Sequence, residues 1–228
     1  MRLSIGGITS FTTVDYPGHL AAVIFLQGCA WRCRYCHNPH LLEVNEGASD
    51  WEQLRYFLEP RQGFLDGVVF SGGEPLLQSG LTDAITNVKD MGFKVALHTA
   101  GANPDRLAKH LPALDWVGLD VKTSFENYPQ ITGIAGSGDK VRESLGLVLE
   151  SDIDYEVRTT VDPTIFNQNK VIALAETLAT AGVTHYTLQQ CRPVDGHQVD
   201  NVKQAVLFRD SAMLKQLQGM FSHFTVRY

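Results

Sequence analysis

The stretch that decides the fold lies at residues 20–36 and reads LAAVIFLQGCAWRCRYC. Its first part, Leu20–Leu26, is a short apolar run typical of a strand that is buried on both faces, as in a parallel sheet. Its second part places Cys29, Cys33 and Cys36 in a C-x3-C-x2-C spacing on the loop that follows. The stretch therefore predicts a buried strand whose carboxyl end leads into a cluster of thiols.

The same kind of apolar run recurs along the chain, and segments with helical spacing separate the recurrences. The further candidate strands are Val68–Phe70, Phe93–Leu97, Trp116–Val121, Tyr155–Val161 and Val183–Leu188, with Phe224–Arg227 as a closing strand. Six strand–helix units predict an α/β fold with a parallel sheet. A complete eight-unit barrel takes about 250 residues, and this chain has 228. We therefore expect an incomplete (β/α)6 barrel, with a doubly wound sheet as the alternative.

The length predicts one domain over residues 1–228, with three parts. Residues 1–18 carry the turn signals Gly6-Gly7 and Pro17-Gly18 and are expected to form an N-terminal strand pair. Residues 19–190 form the predicted core, in which Ser49 followed by Glu52 resembles a capping box. Residues 191–228 are expected to hold one last helix and the closing strand.

The composition excludes several classes of function. Lys and Arg number 19 against 25 Asp and Glu, which gives a net charge of −6 and no basic run for nucleic acid. The longest apolar run is too short to span a bilayer, and the first residues lack the apolar block of a signal peptide. We therefore expect a cytoplasmic protein that binds neither nucleic acid nor membranes. In that reducing compartment, clustered thiols indicate metal binding or redox chemistry.

The three thiols allow more than one metal centre. A structural zinc site usually has four protein ligands, and His37 or His40 could supply the fourth. A [4Fe-4S] cluster held by three cysteines would leave one iron open for a small molecule. The spacing by itself leaves both centres, and chance clustering, as alternatives.

The cysteine spacing, with Tyr35 before the third cysteine, resembles the C-x3-C-x-aromatic-C signature of radical S-adenosylmethionine enzymes. Ser71-Gly72-Gly73-Glu74-Pro75 is similar to the Gly-Gly-Glu-Pro motif of that family. Further stretches resemble the subgroup that activates glycyl radical enzymes: Val14–Gly18, Phe25–Cys29, Cys36–Pro39, Leu119–Lys122 and Glu156–Thr160. Leu188-Gln189-Gln190 with Arg192-Pro193 is similar to the activating protein of anaerobic ribonucleoside-triphosphate reductase.

The resemblance implies a radical-SAM-type fold and an activating enzyme. Cys29, Cys33 and Cys36 would hold a [4Fe-4S] cluster, S-adenosyl-L-methionine would bind its open iron, and its reductive cleavage would place a radical on a glycine of a partner. That partner is expected to be anaerobic ribonucleoside-triphosphate reductase, with a flavodoxin or ferredoxin as electron donor. No residue is expected to be catalytic beyond the cluster and the cofactor.

Other functions remain open at this point. One is a protein like pyruvate formate-lyase activating enzyme. Another is a radical enzyme that acts on a small molecule, like 7-carboxy-7-deazaguanine synthase. A non-catalytic zinc-binding interaction module is the alternative outside the enzymes.

The resemblance also implies which residues contact S-adenosylmethionine, and most of them end a predicted strand, where parallel α/β folds build their sites. They are Tyr35, Gly72, Gly73, Glu74, Thr99, Asp120, Lys122 and Arg158. Glycines let a backbone approach a ligand, and a guanidinium suits a carboxylate. The structural alternatives are a plain turn at the glycines, an ion pair of Asp120 with Lys122, and a salt bridge from Arg158 to Asp120 or Glu156.

Some residues depart from the subgroup. His98 stands where activating enzymes often carry an acid, so we do not expect a monovalent cation site. Cys191 is expected to be a small half-buried residue outside the cluster, and Trp31 to pack at the surface. The histidines expected to be exposed or satisfied within the fold are His19, His40, His110, His185, His197 and His223.

Overall fold

Strands and helices alternate in the computed structural model, which describes residues 3–44, 51–194 and 196–228. The strands of this described part are β1 (Ile5–Thr12), β2 (Ala21–Leu26), β3 (Gly67–Gly72), β4 (Lys94–Thr99), β5 (Trp116–Asp120), β6 (Asp154–Val161), β7 (His185–Gln190) and β8 (His223–Arg227). The α-helices are α1 (Trp51–Leu58), α2 (Leu81–Asp90), α3 (Pro104–His110), α4 (Tyr128–Thr132), α5 (Ser137–Glu150), α6 (Gln168–Thr180), α7 (Asn201–Arg209) and α8 (Ser211–Gln218). Each of β2 to β7 is followed by at least one helix, which confirms the predicted strand–helix units.

The strand order along the sheet follows the chain from β1 to β8. Strands β2, β3 and β4 pair in parallel, as do β6, β7 and β8. A doubly wound sheet reverses its strand order at a switch point, and the order of the described strands has no such reversal. The topology is therefore that of the predicted (β/α)6 arrangement, and the doubly wound alternative is wrong.

The structure corrects the prediction at both ends of the chain. The predicted strand pair within residues 1–18 is the single strand β1, which pairs antiparallel with β2. The predicted last helix is the two helices α7 and α8, because Asp210 adopts an extended backbone and its Oδ1 accepts a hydrogen bond from Met213 N (2.9 Å), which caps a new helix. Ser49 of the predicted capping box lies outside the described residues.

The chain divides into two units, of which the first comprises residues 1–31, 38–118 and 140–155. Its core includes a cluster of Tyr16, Val23, Val69 and Trp116, in which the rings of Tyr16 and Trp116 lie 5.8 Å apart. Strands β2 and β3 are buried over most of their length. This burial agrees with the unbroken apolar runs from which the strands were predicted.

The second unit comprises residues 32–37, 119–139 and 156–228. It includes a cluster of Tyr35, Ile131, Cys191 and Val199. Within it, Arg227 Nη2 on β8 donates to Glu156 Oε2 on β6 (2.9 Å), and Arg227 Nη1 lies 2.8 Å from Glu156 Oε1 as an ion pair. This charge-assisted hydrogen bond joins the last strand to β6.

No helix among the described residues is long and apolar enough to cross a membrane.

His110, at the end of α3, provides a test of stability against pH. Its Nδ1 donates to Arg106 O (2.5 Å), its Nε2 lies 3.1 Å from Thr82 Oγ1, and burial lowers the pKa of its ring. A lowered pKa in the fold means that the stabilisation is fully present above the ordinary value of about 6.5 and is lost as the pH falls through the folded pKa. We expect the free energy of unfolding to fall more steeply below pH 6.5 in the wild type than in His110→Gln, as measured by urea denaturation. Equal pH dependence in the two proteins would contradict this role.

Candidate functional site

In the first unit, the end of β3 lies against the segment that leads to Cys29. Gly73 N donates to Leu26 O and Glu74 N donates to Gly28 O, both at 2.8 Å. Gly72 has a φ of +115°, and a Cβ on Gly73 would lie 2.3 Å from Gly28 O. No residue with a side chain fits such an approach without moving the backbone. The close contact between the backbone at Gly72-Gly73 and the backbone at residues 26–28 therefore requires glycine at both positions. The alternative of a plain turn does not account for this contact.

Glu74 and Thr99, which the sequence singled out separately, are brought together by the fold. The Glu74 side chain is buried, and its Oε1 accepts from Thr99 Oγ1 (2.7 Å) and from Leu76 N (3.1 Å). Its Oε2 accepts from Ala100 N (2.9 Å). These bonds join the loop after β3 to the loop after β4, so Glu74 organises the strand ends rather than extending into open space.

Cys29 is held at the start of its loop by backbone bonds. Gly28 N donates to Leu41 O (2.8 Å) and Cys29 N donates to Leu42 O (3.1 Å). The Cys29 thiol is partly exposed. Trp31 is 3% exposed, so the prediction that it packs at the surface is wrong: its large apolar side chain is buried, as is usual for this residue type.

In the second unit, Cys33 and Cys36 lie on one turn, in which Cys36 N donates to Cys33 O (3.2 Å). Both thiols are free and partly exposed. Burial raises the pKa of the Cys33 thiol, while the ammonium of Lys122 acts in the opposite direction. A metal that binds this thiol must displace its proton, and the nearby cation favours the thiolate.

Tyr35 lies between these cysteines and is buried. Its hydroxyl donates to Lys122 O (3.3 Å), and burial raises its pKa well above the ordinary value. The phenol is therefore neutral at physiological pH. It also packs in the cluster with Ile131 and Cys191, so its ring supports the cysteine turn from within the unit.

Asp120, Lys122 and Arg158 form a charged group: Asp120 is the last residue of β5, Lys122 lies just beyond it, and Arg158 lies within β6. Arg158 Nε donates to Asp120 Oδ1 (2.8 Å), and Lys122 Nζ lies 3.6 Å from Asp120 Oδ2. The structural alternatives of an Asp120–Lys122 ion pair and an Arg158–Asp120 salt bridge are thus present. Two cations thus contact one carboxylate, and a guanidinium is a group that suits a carboxylate ligand.

We expect Asp120→Ala to lower the free energy of unfolding by about 2–3 kcal/mol, because the Arg158 side chain is only 8% exposed and would lose the carboxylate that compensates it. Glu52→Gln removes one of the two exposed carboxylate partners of Arg55 and is the matched control, because exposed ion pairs contribute little. Chemical denaturation of both variants measures the difference. An Asp120→Ala protein as stable as the control would show that this pair is not structural.

Two histidines near the motifs form hydrogen bonds with backbone atoms of the chain. His98 Nε2 donates to the carbonyl of Asp15 (2.7 Å) in the first unit. In the second unit, His37 Nε2 accepts from Arg192 N (3.3 Å) and lies 3.7 Å from Cys191 Sγ. Burial lowers the pKa of His37, with Lys122 and Arg192 acting in the same direction. The neutral ring of His37 faces Arg192 and Cys191.

The sequence did not single out Asp162, which follows β6 directly and is buried. Its Oδ2 lies 2.9 Å from His197 Nε2. His197 was expected to be exposed or satisfied within the fold, and Cys191 to be half-buried, whereas Cys191 is 1% exposed. The position of Asp162 just past the end of a buried strand was the sequence signal that could have identified it as a candidate site residue.

None of Cys29, Cys33 and Cys36 forms a disulfide, and thiolates are the soft donors that hold iron–sulfur clusters. The sequence profile of the Radical SAM superfamily matches residues 23–178 of this chain. The chain belongs to the Radical SAM superfamily. Radical SAM enzymes use a [4Fe-4S] cluster and S-adenosylmethionine, so the predictions of an enzyme and of both cofactors are confirmed. A non-catalytic zinc module does not agree with this family.

Curated relatives of this radical SAM protein carry names from one subgroup. A Methanocaldococcus jannaschii protein named as a glycyl-radical enzyme activating enzyme is 29% identical over 207 residues, which cover 86% of this chain and 83% of that protein. The pyruvate formate-lyase-activating enzyme of Clostridium pasteurianum is 34% identical over 178 residues, 74% of this chain and 72% of that enzyme. These names support the glycyl-radical-enzyme activating subgroup.

Solved structures confirm the fold. Streptococcus suis SuiB bound to S-adenosylmethionine superposes with a TM-score of 0.67 at 13% identity, over 88% of this radical SAM chain. The anSMEcpe protein with bound AdoMet gives a TM-score of 0.65 at 15% identity over 87% of the chain. The chain spans about half of the length of SuiB, 48%.

Proposed function

We propose that this radical SAM enzyme generates a glycyl radical on a partner enzyme, and that the partner is an anaerobic ribonucleoside-triphosphate reductase. The observation that carries the activating role is the similarity to the two curated relatives, each aligned over more than two thirds of its own length. The reductase follows from the narrower resemblance of Leu188-Gln189-Gln190 and Arg192-Pro193. Of these residues, Gln189 is held by a bond from its Nε2 to Thr160 Oγ1 (2.7 Å).

Cys29, Cys33 and Cys36 are the residues that would hold the [4Fe-4S] cluster through their thiolates. When bound, the cluster and S-adenosylmethionine supply a 5'-deoxyadenosyl radical by one-electron reductive cleavage of the sulfonium. The cofactors provide this reaction, and the chain binds and orients them. The cation of Lys122 favours the thiolate form of Cys33, so it assists loading of the cluster.

Other residues of the chain would position the S-adenosylmethionine. The guanidinium of Arg158, beside Lys122 and Asp120, suits the carboxylate of its methionine part. The glycine pair at 72–73 fixes the backbone that leads to Cys29. Glu74 and Thr99 keep the two strand ends of the first unit in register.

The test is anaerobic mixing of the reconstituted, reduced enzyme with S-adenosylmethionine and a candidate reductase, followed by electron paramagnetic resonance. We expect a glycine-centred radical on the reductase and one 5'-deoxyadenosine per radical formed. A reductase with its radical-bearing glycine replaced by alanine is the control, and it should give no signal. Cleavage of S-adenosylmethionine without a radical on the wild-type reductase would overturn the partner assignment but not the family chemistry.

Pyruvate formate-lyase is the second candidate partner, because the Clostridium pasteurianum relative is named for it. Adding equal amounts of the reductase and the lyase to one reaction separates the two proposals. We expect the radical to form on the reductase. A radical on the lyase alone would replace our assignment, and a modified small molecule formed in the absence of both proteins would favour the deazaguanine-synthase-like alternative.

A further inference from the structure

A second group of metal-ligating side chains lies in the second unit; none of them belongs to the cysteine motif, although Cys191 packs against Tyr35 of that motif. It consists of Asp162, Cys191 and His197, which each offer one ligand atom, and these atoms all lie within 4.8 Å of one another. The carboxylate and the thiol are buried, and the imidazole is 16% exposed. The proposed activation of a partner makes no use of these residues.

Two polar atoms of this group are poorly satisfied by the described part of the chain, whereas Cys191 Sγ donates to Arg192 O (3.8 Å). Asp162 Oδ1 accepts from Thr164 N (2.8 Å), but Asp162 Oδ2 and His197 Nε2 have no hydrogen bond of acceptable geometry among the described residues, although they lie 2.9 Å apart. Buried polar atoms without such bonds cost free energy. A cation between them would satisfy both, because the carboxylate oxygen is an acceptor and Nε2 presents a lone pair when the ring proton is on Nδ1.

We propose that Asp162, Cys191 and His197 form a binding site for a divalent cation of the zinc class, with one coordination position left to water. Nitrogen, oxygen and sulfur donors together are the ligands that zinc prefers, and three protein ligands with an open position are the usual arrangement outside closed structural sites. Ligand atoms of one zinc ion lie about 3.3–3.8 Å apart at its usual bond lengths. The group therefore needs shifts of only about 1 Å to close around the ion.

The thiol is the ligand whose chemistry changes most. Burial and the neighbouring carboxylate of Asp162 raise the pKa of Cys191 to about 12, so the thiol is protonated in the absence of a cation. Zinc binding would release that proton and place the thiolate beside a positive charge. His37 Nε2, 3.7 Å from the sulfur, accepts from Arg192 N and is left outside the ligand set.

The site is tested on the enzyme with its iron–sulfur cluster intact, by zinc titration against a chelating dye and by zinc X-ray absorption. We expect one equivalent of zinc without loss of iron, and a first shell of one sulfur at about 2.3 Å with nitrogen and oxygen at about 2.0 Å. Three sulfurs in that shell would place the zinc on the cysteine motif instead. Either that result or less than one equivalent of bound zinc overturns the proposal without relying on any variant.

The zinc affinity of single-residue variants tests which side chains bind the ion. His197→Ala, Asp162→Asn and Cys191→Ser should each weaken zinc binding about tenfold or more, since even outer partners of a metal ligand contribute ten- to hundredfold. His223→Ala is the matched control, because it removes an exposed histidine of the same unit that stacks on His185, and its zinc affinity should be unchanged. Wild-type affinity in His197→Ala would contradict the site, whereas a loss in His223→Ala would move it to the stacked pair.

Discussion

Replacement of Cys33 by alanine is expected to reduce the iron content of the reconstituted enzyme to background and to abolish formation of 5'-deoxyadenosine. Cys33 is one of three thiols proposed to hold the cluster, and its neighbour Lys122 favours the thiolate. Two remaining cysteines do not retain a cubane that normally depends on three or four. Iron and sulfide analysis, the visible absorption of the cluster, and chromatography of the nucleoside products measure the effect.

Cys191→Ala is the matched control for iron content, because it removes the fourth cysteine of the chain. Its iron and sulfide should equal those of the wild type, since Cys191 lies among Tyr35, Ile131 and Val199 and is not part of the motif. If Cys33→Ala keeps its iron while Cys191→Ala loses it, our ligand assignment is wrong.

Gly73→Ala is expected to lower S-adenosylmethionine cleavage about a hundredfold, the loss that a displacement of about 1 Å can cause at a reacting centre. The new Cβ would lie 2.3 Å from Gly28 O, a backbone atom that cannot rotate away. Gly28 precedes Cys29 directly, so relief of the clash shifts the start of the cysteine loop. Single-turnover kinetics of 5'-deoxyadenosine formation measure the change, alongside the iron content.

Gly146→Ala on α5 is the matched control for Gly73→Ala. A Cβ there meets no atom within 4 Å, and alanine is favoured over glycine within a helix by about 0.5–1 kcal/mol. The control should cleave S-adenosylmethionine at the wild-type rate and unfold at a slightly higher temperature. Equal activity of Gly73→Ala and this control would show that the close approach at Gly28 is dispensable.

Much of the fold was predictable because the buried strands have an unbroken apolar sequence. Val68–Phe70 lies within β3, and the local sequence Asn103-Pro104 marks the start of α3, where Asn103 Oδ1 accepts from Arg106 N (3.1 Å). Local sequence patterns do not predict a strand whose formation depends on pairing with a distant segment. Residues 5–12 form one strand because β2 offers an open edge, and no local pattern shows that edge.

The site was predictable where a motif carries the chemistry and not where contacts are long-range. Spacing singled out Cys29, Cys33 and Cys36 as candidate ligands, and the Asp120–Lys122 ion pair considered from the sequence is present in the structure. The bond between Glu74 and Thr99 joins residues 25 positions apart, so no short pattern encodes it. The pairing of Asp162 with His197 is also non-local, and neither residue belongs to a recognisable motif.

The backbone pairing of residues 73–74 with residues 26 and 28 has a consequence for exchanging segments between relatives. Main-chain atoms alone form these bonds, so they set where the thiol-bearing loop begins without dictating its side chains. A chimaera of this chain that carries the cysteine loop of a relative should therefore fold with that loop in place if it retains Gly72 and Gly73. A graft onto a scaffold without them would leave the transplanted loop without its anchor.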